Sequence, residues 1–210
     1  LGGSGRAERA EGGWRIFARK VFASASPAGS LLMTCAVADT ADGSEVLHFG
    51  LPLNAAGVSI ADNWRALGMR GTGSHDVVID GAFVADAAIG GKRPAGKWGP
   101  LFHLVSMIAL PLIYSVYTGV ADAARDQAIA LAKRKGRASG DEQIELAGRL
   151  ENAWLTADLL FEHMMTLATS NQPGEATTHR VLHVRVELAR AAIAAAEAAV
   201  ALTGGAAFLR

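Results

Sequence analysis

Residues 64–84 read WRALGMRGTGSHDVVIDGAFV. The glycines in the first half predict a bend, and the alternation that follows predicts a strand from Asp76 to Phe83. Arg70, Thr72, Ser74 and His75 lie where the bend becomes the strand. Side chains at a strand end are held by a rigid sheet while they stay accessible, an arrangement that is common in binding sites. The pattern therefore indicates either a binding site or a polar turn that only caps a sheet.

Short predicted strands surround this stretch, and the opening LGGSGRAERAEGG predicts a turn. Close spacing, Gly-rich turns and the absence of a helical period favour a small antiparallel β-barrel or sandwich. The other predicted strands are Gly13–Phe17, Lys20–Phe22, Leu31–Ala38, Val46–Leu51 and Val58–Ala61, and in this pattern the strand of the opening stretch spans Val77–Val84.

The character of the chain changes after GGKRPAGKWGP, residues 90–100. We predict helices over residues 101–135, 143–170 and 179–203, with Pro111 starting a turn or kink and Gly204–Gly205 ending the third helix. The apolar run LVSMIALPLIYSVYTGV is interrupted by Ser and Pro and is short for a membrane span, so it predicts a buried helix. The expected fold class is α+β, with a β middle domain at residues 1–90 and an up-down helical bundle at residues 91–210.

Composition narrows the functional classes. Twenty basic residues balance twenty acidic ones, which disfavours nucleic acid or an anionic membrane as a partner. The single cysteine, Cys35, excludes an internal disulfide and a multi-Cys zinc site, and its apolar surroundings predict a buried, inert thiol in a cytoplasmic protein. His179 and His183 share a helix face at a metal-compatible spacing, but no third ligand is near, so we predict a surface pair and no metal site.

The run Ser74-His75-Asp76 does not predict a catalytic triad. Adjacent strand residues point to opposite faces, whereas a triad needs three side chains that converge. The hydroxyls of Ser24, Ser26, Thr72 and Ser74 are a better guide, because a strand-end hydroxyl beside an aromatic side chain can line a flat heterocycle.

Two of these segments together resemble the acyl-CoA dehydrogenase superfamily. GGWRIFARKVFASAS is similar to that family's central hairpin, G-x-K-x-[WF]-[IA]-[TS], which lines the flavin ring. NWRALGMRGTGSHDVVIDGAFV is similar to its second hallmark, a Gly-x-Arg segment with a small-hydroxyl turn and a strand. ARDQAIALAKRK and LTGGAAFL resemble segments of its C-terminal bundle. The resemblance covers nearly the whole chain.

The resemblance implies a β-barrel followed by a helical bundle, an N-terminal helical domain outside this sequence, flavin between barrel and bundle, and a homotetramer. It places Phe22, Ala23, Ser24 and Ser26 against a flavin, FMN or FAD, with Ser24 nearest the reactive ring nitrogen. It places Arg70, Thr72 and Ser74 near the flavin or the substrate mouth. His75 ranks behind the hydroxyls as a candidate for contact with substrate.

Two departures from the family pattern favour its two-component flavin monooxygenase branch, whose members take reduced flavin from a separate reductase and use O2. No Asp or Glu occurs between Asp86 and Asp122, so a dehydrogenase's catalytic carboxylate would have to follow Arg210. The usual R-x-x-F-G is replaced by KRKGRAS at residues 133–139, which leaves FMN open beside FAD. We therefore predict a monooxygenase acting on a small organic substrate. An acyl-CoA dehydrogenase with its Glu beyond residue 210 and a non-catalytic scaffold of the same fold remain alternatives.

Overall fold

The computed structural model describes residues 5–134 and 140–208. The chain divides into two compact units, Leu1–Trp98 and Gly99–Arg210. The first unit contains β1 Arg6–Ala10, β2 Gly13–Lys20, β3 Leu31–Thr40, β4 Gly43–Pro52, β5 Val58–Ile60, β6 Val77–Ala85 and β7 Ile89–Pro94. The second contains α1 Pro100–Arg134, α2 Asp141–Thr169 and α3 Glu175–Thr203. The predicted α+β class is confirmed.

The strands form one seven-stranded sheet in the order β5-β6-β2-β1-β3-β4-β7. Neighbours are antiparallel except β1 and β3, which are parallel. Alternate residues of five strands point to one face and form a single core, so the sheet curls around its own apolar side chains. The fully buried members of that core include Ile16, Ala36, Leu47, Phe49, Leu51, Val77 and Ile79.

Three strand predictions differ from the structure. The predicted break between Phe17 and Lys20 is wrong, because β2 is continuous and absorbs the irregularity as a bulge at Ile16/Phe17 opposite β6. Gly81 has φ +72° on the partner strand, a left-handed backbone that glycine adopts without a Cβ clash. β1 lies in a segment that was expected to be a turn, and no strand was expected at β7; both form strands, and β7 carries the sheet past residue 90.

The helical unit packs around small side chains. Ala121, Ala128, Ala157 and Ala195 are all buried in one cluster, and their size lets the helix axes approach closely. The buried residues of α3 face both other helices, while Arg125 joins α1 to α2 through two hydrogen bonds to the Glu151 carboxylate. Gly204 ends α3, with φ +65° and its N–H bonded to the Val200 carbonyl, as predicted.

The apolar half of α1 departs from two predictions. The helix runs without interruption through Pro111, so the expected turn there is wrong. The prediction that this segment is buried is also wrong, because this chain leaves Leu112 68% exposed and Val120 59% exposed. α1 is long and apolar enough to cross a membrane. Length and composition are weak evidence, because helices of soluble proteins can meet the same criteria. Cys35, expected to be buried, is only partly so.

Candidate functional site

The two motif loops meet at one end of the sheet. β2 and β6 pair with Lys20 opposite Val77, so the loop that follows β2 and the loop that precedes β6 leave the sheet side by side. Two backbone hydrogen bonds then join the loops, from Ala23 N to His75 O at 3.0 Å and from Ala25 N to Thr72 O at 2.8 Å. The structure thus brings together the segments that the sequence placed about fifty residues apart.

Three hydroxyl groups form a chain across this junction. Ser24 Oγ lies 2.9 Å from Ser74 Oγ, and Ser74 Oγ lies 2.6 Å from Thr72 Oγ1. Thr72 Oγ1 lies 2.8 Å from the Met69 carbonyl oxygen. Ser74 is 5% exposed, whereas Ser24 is exposed and lies at the outer end of the row of hydroxyls.

The direction of these hydrogen bonds follows from the number of hydroxyl hydrogens available. A hydroxyl has one hydrogen to donate, and a carbonyl oxygen can only accept. Thr72 therefore donates to Met69, Ser74 donates to Thr72, and Ser24 donates to Ser74. All three hydrogens are used inside the protein, so the Ser24 oxygen faces outward as a hydrogen-bond acceptor. The arrangement suits a ligand that presents an N–H or O–H group.

The same two loops carry exposed apolar side chains. The Phe22 ring is 71% exposed, and Leu67 (99%) and Met69 (57%) are also open to solvent. The Trp64 ring meets Phe22 edge to face, with centroids 6.0 Å apart and planes at 82°. An exposed apolar patch of this kind marks a surface that a ligand or partner covers.

The backbone of the site is strained at three residues. Phe22, Ala25 and Met69 have φ of +55°, +61° and +54°, in the left-handed region that costs a non-glycine residue about 1 kcal/mol. Gly73, at φ +51°, adopts the same region without that cost. The bonds between the two loops hold these conformations in place.

Ser74, His75 and Asp76 have separate partners, as the alternation predicted. The Ser74 hydroxyl bonds to Thr72 and Ser24. The Asp76 carboxylate binds the Arg19 guanidinium at 2.7 Å, and this contact lowers the pKa of that carboxyl below its usual range. The His75 Nδ1 atom accepts hydrogen bonds from the backbone N–H groups of Asn63 and Trp64, at 3.0 and 3.1 Å. The arrangement excludes nucleophilic catalysis by a triad at this position.

Two predicted site residues are not part of the hydroxyl chain. Ser26 is 3% exposed, and its hydroxyl turns inward to the Gly73 carbonyl at 3.4 Å. Arg70 lies in a short 3-10 turn, Arg70–Thr72, with its side chain exposed; within residues 5–134 and 140–208 it makes no hydrogen bond to the three hydroxyls. The structure places Ala23 at the junction, with its N–H committed to His75.

Sequence reasoning missed Trp64 and Met69. The Trp64 indole Nε1 lies 3.4 Å from the Met69 carbonyl, the same oxygen that accepts the Thr72 hydrogen. A lone tryptophan before a Gly-rich bend was the available signal, but its contact with Phe22 spans forty-two residues of sequence.

The other candidate positions give less support for a functional site. Across the described ranges, no three His, Cys, Asp or Glu side chains cluster as metal ligands would. The His179 and His183 rings stack at 6.5 Å on the exposed side of α3. Residues 135–139, which hold most of the KRKGRAS departure, lie outside the described residues, as does the position after Arg210.

Comparison with known proteins finds relatives whose similarity to this chain covers only part of their own length. The chain is 31% identical over 131 residues to the amino sugar nitrososynthase RubN8 of Streptomyces rubradiris, covering 59% of this chain and 30% of that protein. It is 33% identical over 132 residues to the putative acyl-CoA dehydrogenase YdbM of Bacillus subtilis, covering 60% of this chain and 31% of that protein. Two further relatives are named L-evernosamine nitrososynthase and amino sugar nitrososynthase DnmZ. No family model matches.

Solved structures share the fold over nearly the whole chain. The nitrososynthase of Micromonospora carbonacea var. africana superposes with a TM-score of 0.87 at 22% identity, covering 99% of this chain and 56% of that one. XiaF from Streptomyces sp., solved with FADH2 and glycerol, gives 0.81 at 19% identity, covering 100% and 59%. The chain thus spans about a third of its curated relatives' length and little more than half of these structures. The chain shares the fold of these solved structures, and the similarity to YdbM agrees with the resemblance to acyl-CoA dehydrogenases noted in the sequence.

Proposed function

We propose that the protein containing this chain is a flavin-dependent monooxygenase that takes reduced flavin and O2 and oxidises a small organic substrate. The observation that carries the proposal is the directed hydroxyl chain, which ends in an acceptor oxygen at Ser24 beside the exposed Phe22 ring. A polar edge next to an apolar face matches a flat heterocycle whose rim carries hydrogen-bonding atoms.

The residues present fit a flavin in its reduced form. Reduced flavin carries a hydrogen on ring nitrogen N5, where oxidised flavin has only a lone pair. The Ser24 oxygen can accept from an N–H, but it can donate to a bare nitrogen only by giving up its bond to Ser74. When bound, reduced flavin supplies the electrons that activate O2.

The chain's own residues would orient the ring and keep water away. Phe22 is an exposed aromatic ring available for packing, and Leu67 and Met69 are further exposed apolar side chains of the second loop. Ser74 and Thr72 hold the Ser24 hydroxyl in one orientation, so the acceptor is preorganised and needs little rearrangement on binding. Ser26 supports this loop from within through Gly73.

Oxidation at the nitrogen of an amino sugar is a specific form of the proposal. Three curated relatives are named as nitrososynthases, and the names of two of them specify amino sugars. The solved structure of KijD3, which shares this fold at a TM-score of 0.79, holds FMN together with a dTDP-linked amino keto sugar. An amine substrate is therefore the first class to test.

The cellular setting belongs to the same proposal. We infer a cytoplasmic homotetramer supplied by a separate flavin reductase. The exposed apolar side of α1, which includes Leu112, Ile113, Val116 and Val120, supports an assembly in which other chains cover it. The balanced charge of the chain supports a small-molecule substrate over nucleic acid.

The decisive experiment is an anaerobic titration of the full-length protein with FMN and FAD, each oxidised and reduced. We expect reduced flavin to bind more tightly, and NADH-linked oxygen uptake with an amino sugar nucleotide to require an added reductase. Bleaching of bound flavin by an acyl-CoA would instead establish the dehydrogenase alternative. A protein that binds neither flavin in either state would be a scaffold, and the proposal would fail.

A further inference from the structure

The His75 imidazole is built into the wall of the site as a hydrogen-bond acceptor. Its side chain is 14% exposed, and its Nδ1 atom faces the N–H groups of two consecutive residues, Asn63 at 3.0 Å and Trp64 at 3.1 Å. An atom that accepts from two donors carries no hydrogen, so Nδ1 serves here as the acceptor nitrogen of the ring. The Asp62 carboxylate, 3.8 Å from Nδ1, is held instead by Arg65.

This acceptor extends the hold on a segment whose last backbone bond to the strand runs from Ala61 N to Asp76 O at 2.8 Å. Residues 62–64 lie outside the strands, and Asn63 returns one bond through its Oδ1, which accepts the Asp76 N–H at 3.0 Å. The chain from Asp62 to His75 is thereby closed at its base by the imidazole and the Asn63 amide. Loops closed in this way lose conformational freedom before any ligand arrives.

Trp64 transmits that constraint to the binding surface. Its ring lies edge-on to Phe22, and its indole N–H reaches the Met69 carbonyl, where the hydroxyl chain ends. One aromatic side chain therefore contacts both the apolar face and the end of the polar relay. If the backbone at Trp64 moved, both would lose a neighbour.

We propose that His75 is a positioning residue: its Nδ1 holds the backbone at Asn63–Trp64 so that Trp64 sets the Phe22 ring and the Met69 carbonyl for flavin. This inference rests on the proposed function for its purpose, but its structural half stands alone. The expectation that His75 contacts substrate stays a prediction beside this role, and it would have to use the other ring nitrogen, because Nδ1 is occupied within the protein.

The test uses variants that differ in where an acceptor lies. Asparagine places Oδ1 the same number of bonds from the backbone as Nδ1, so H75N keeps the acceptor, whereas H75L removes it and H75Q moves it one bond outward. H48N and H48L serve as controls, because His48 is an imidazole of the same sheet whose Nε2 accepts from Arg93. The full-length protein is labelled with 5-fluorotryptophan, and the Trp64 resonance is assigned by its loss in W64F.

We expect the Trp64 resonance to shift or broaden in H75L and H75Q and to stay in place in H75N and both His48 variants. Reduced FMN should bind about tenfold more weakly to H75L and normally to H75N; tenfold corresponds to about 1.4 kcal/mol, within the range for one lost hydrogen bond. An unmoved Trp64 resonance in H75L would overturn the positioning role, as would equal damage in H75N. If the Trp64 resonance shifts in H75L but no variant binds flavin, and the wild type does not bind it either, the positioning of Trp64 by His75 would stand. Only the proposed function would then be refuted.

Discussion

Replacing Ser74 by alanine tests the direction of the hydroxyl chain. The Ser74 oxygen accepts from Ser24 at 2.9 Å and donates to Thr72 at 2.6 Å, so S74A removes both bonds. Thr72 keeps its bond to the Met69 carbonyl, and the exposed Ser24 hydroxyl can turn to water or to a ligand. No buried donor is left without a partner, so we expect a stability loss of only about 1–2 kcal/mol.

The effect on flavin should depend on its redox state. In the wild type the Ser24 hydrogen points to Ser74, whereas in S74A it is free to be donated to a bare nitrogen. Oxidised flavin should then gain about 1 kcal/mol, or about fivefold in affinity. Reduced flavin should bind as before, because the Ser24 oxygen accepts an N–H in either variant. The preference for reduced over oxidised flavin should therefore fall by about fivefold.

The assay is a pair of anaerobic titrations, with oxidised and with photoreduced FMN, followed by absorbance. S26A is the matched control: it removes the other buried serine hydroxyl at this junction, which lies in the loop after β2, is bonded to the Gly73 carbonyl and is not one of the three linked hydroxyls. It should cost similar stability and leave the redox preference unchanged. An unchanged preference in S74A, or an equal change in S26A, would refute the deduced proton order.

Three further results are expected. The Asp76 pKa is lowered by Arg19, so this pair stabilises the fold above the usual aspartate pKa of about 4, and its contribution disappears as pH falls further; D76N should flatten that part of an acid-unfolding curve, and an unaltered curve would contradict the assignment. R125K keeps the charge but loses the paired bonds to Glu151, and should lower the free energy of unfolding by about 1 kcal/mol in urea titrations; no loss would mean that the pair adds nothing. L112E adds a charge to the exposed apolar side of α1 and should reduce the assembled mass in analytical ultracentrifugation, whereas a wild-type mass would place the contact elsewhere.

The sequence predicted most strands and all three helices because their signals are local. β1 was missed since RAERA is charged on its outward positions and shows only Ala7 to the core; its place comes from pairing with β2 and β3 on either side. Pro111 was expected to interrupt α1, but the cost of one missing backbone donor is an energetic penalty that packing can offset. Hydropathy marked the apolar half of α1 and could not say whether this chain or another covers it.

For the site, the sequence provided the residue types but not their connections. Family resemblance paired the loop after β2 with the loop before β6, and the structure joins them at Ala23 and Ala25. The proton order in the hydroxyl chain depends on one carbonyl, that of Met69, which a left-handed backbone at that residue helps to orient. No propensity scale predicts such a conformation for methionine. The role of His75 likewise depends on the position of Asn63 and Trp64, twelve and eleven residues away.

The placement of backbone strain argues that these loops do more than close a sheet. Among the described residues, four that are not glycine have positive φ: Phe22, Ala25, Met69 and Asn171. Asn171 lies between α2 and α3 and is a residue type that tolerates this region. The other three tolerate it poorly, and all lie in the two loops that meet at the hydroxyl chain. A turn that only capped the sheet would gain stability if glycine or asparagine replaced them. The strained residues are better explained by the groups that they present, an exposed aromatic ring at Phe22 and a hydrogen-bond-accepting carbonyl at Met69.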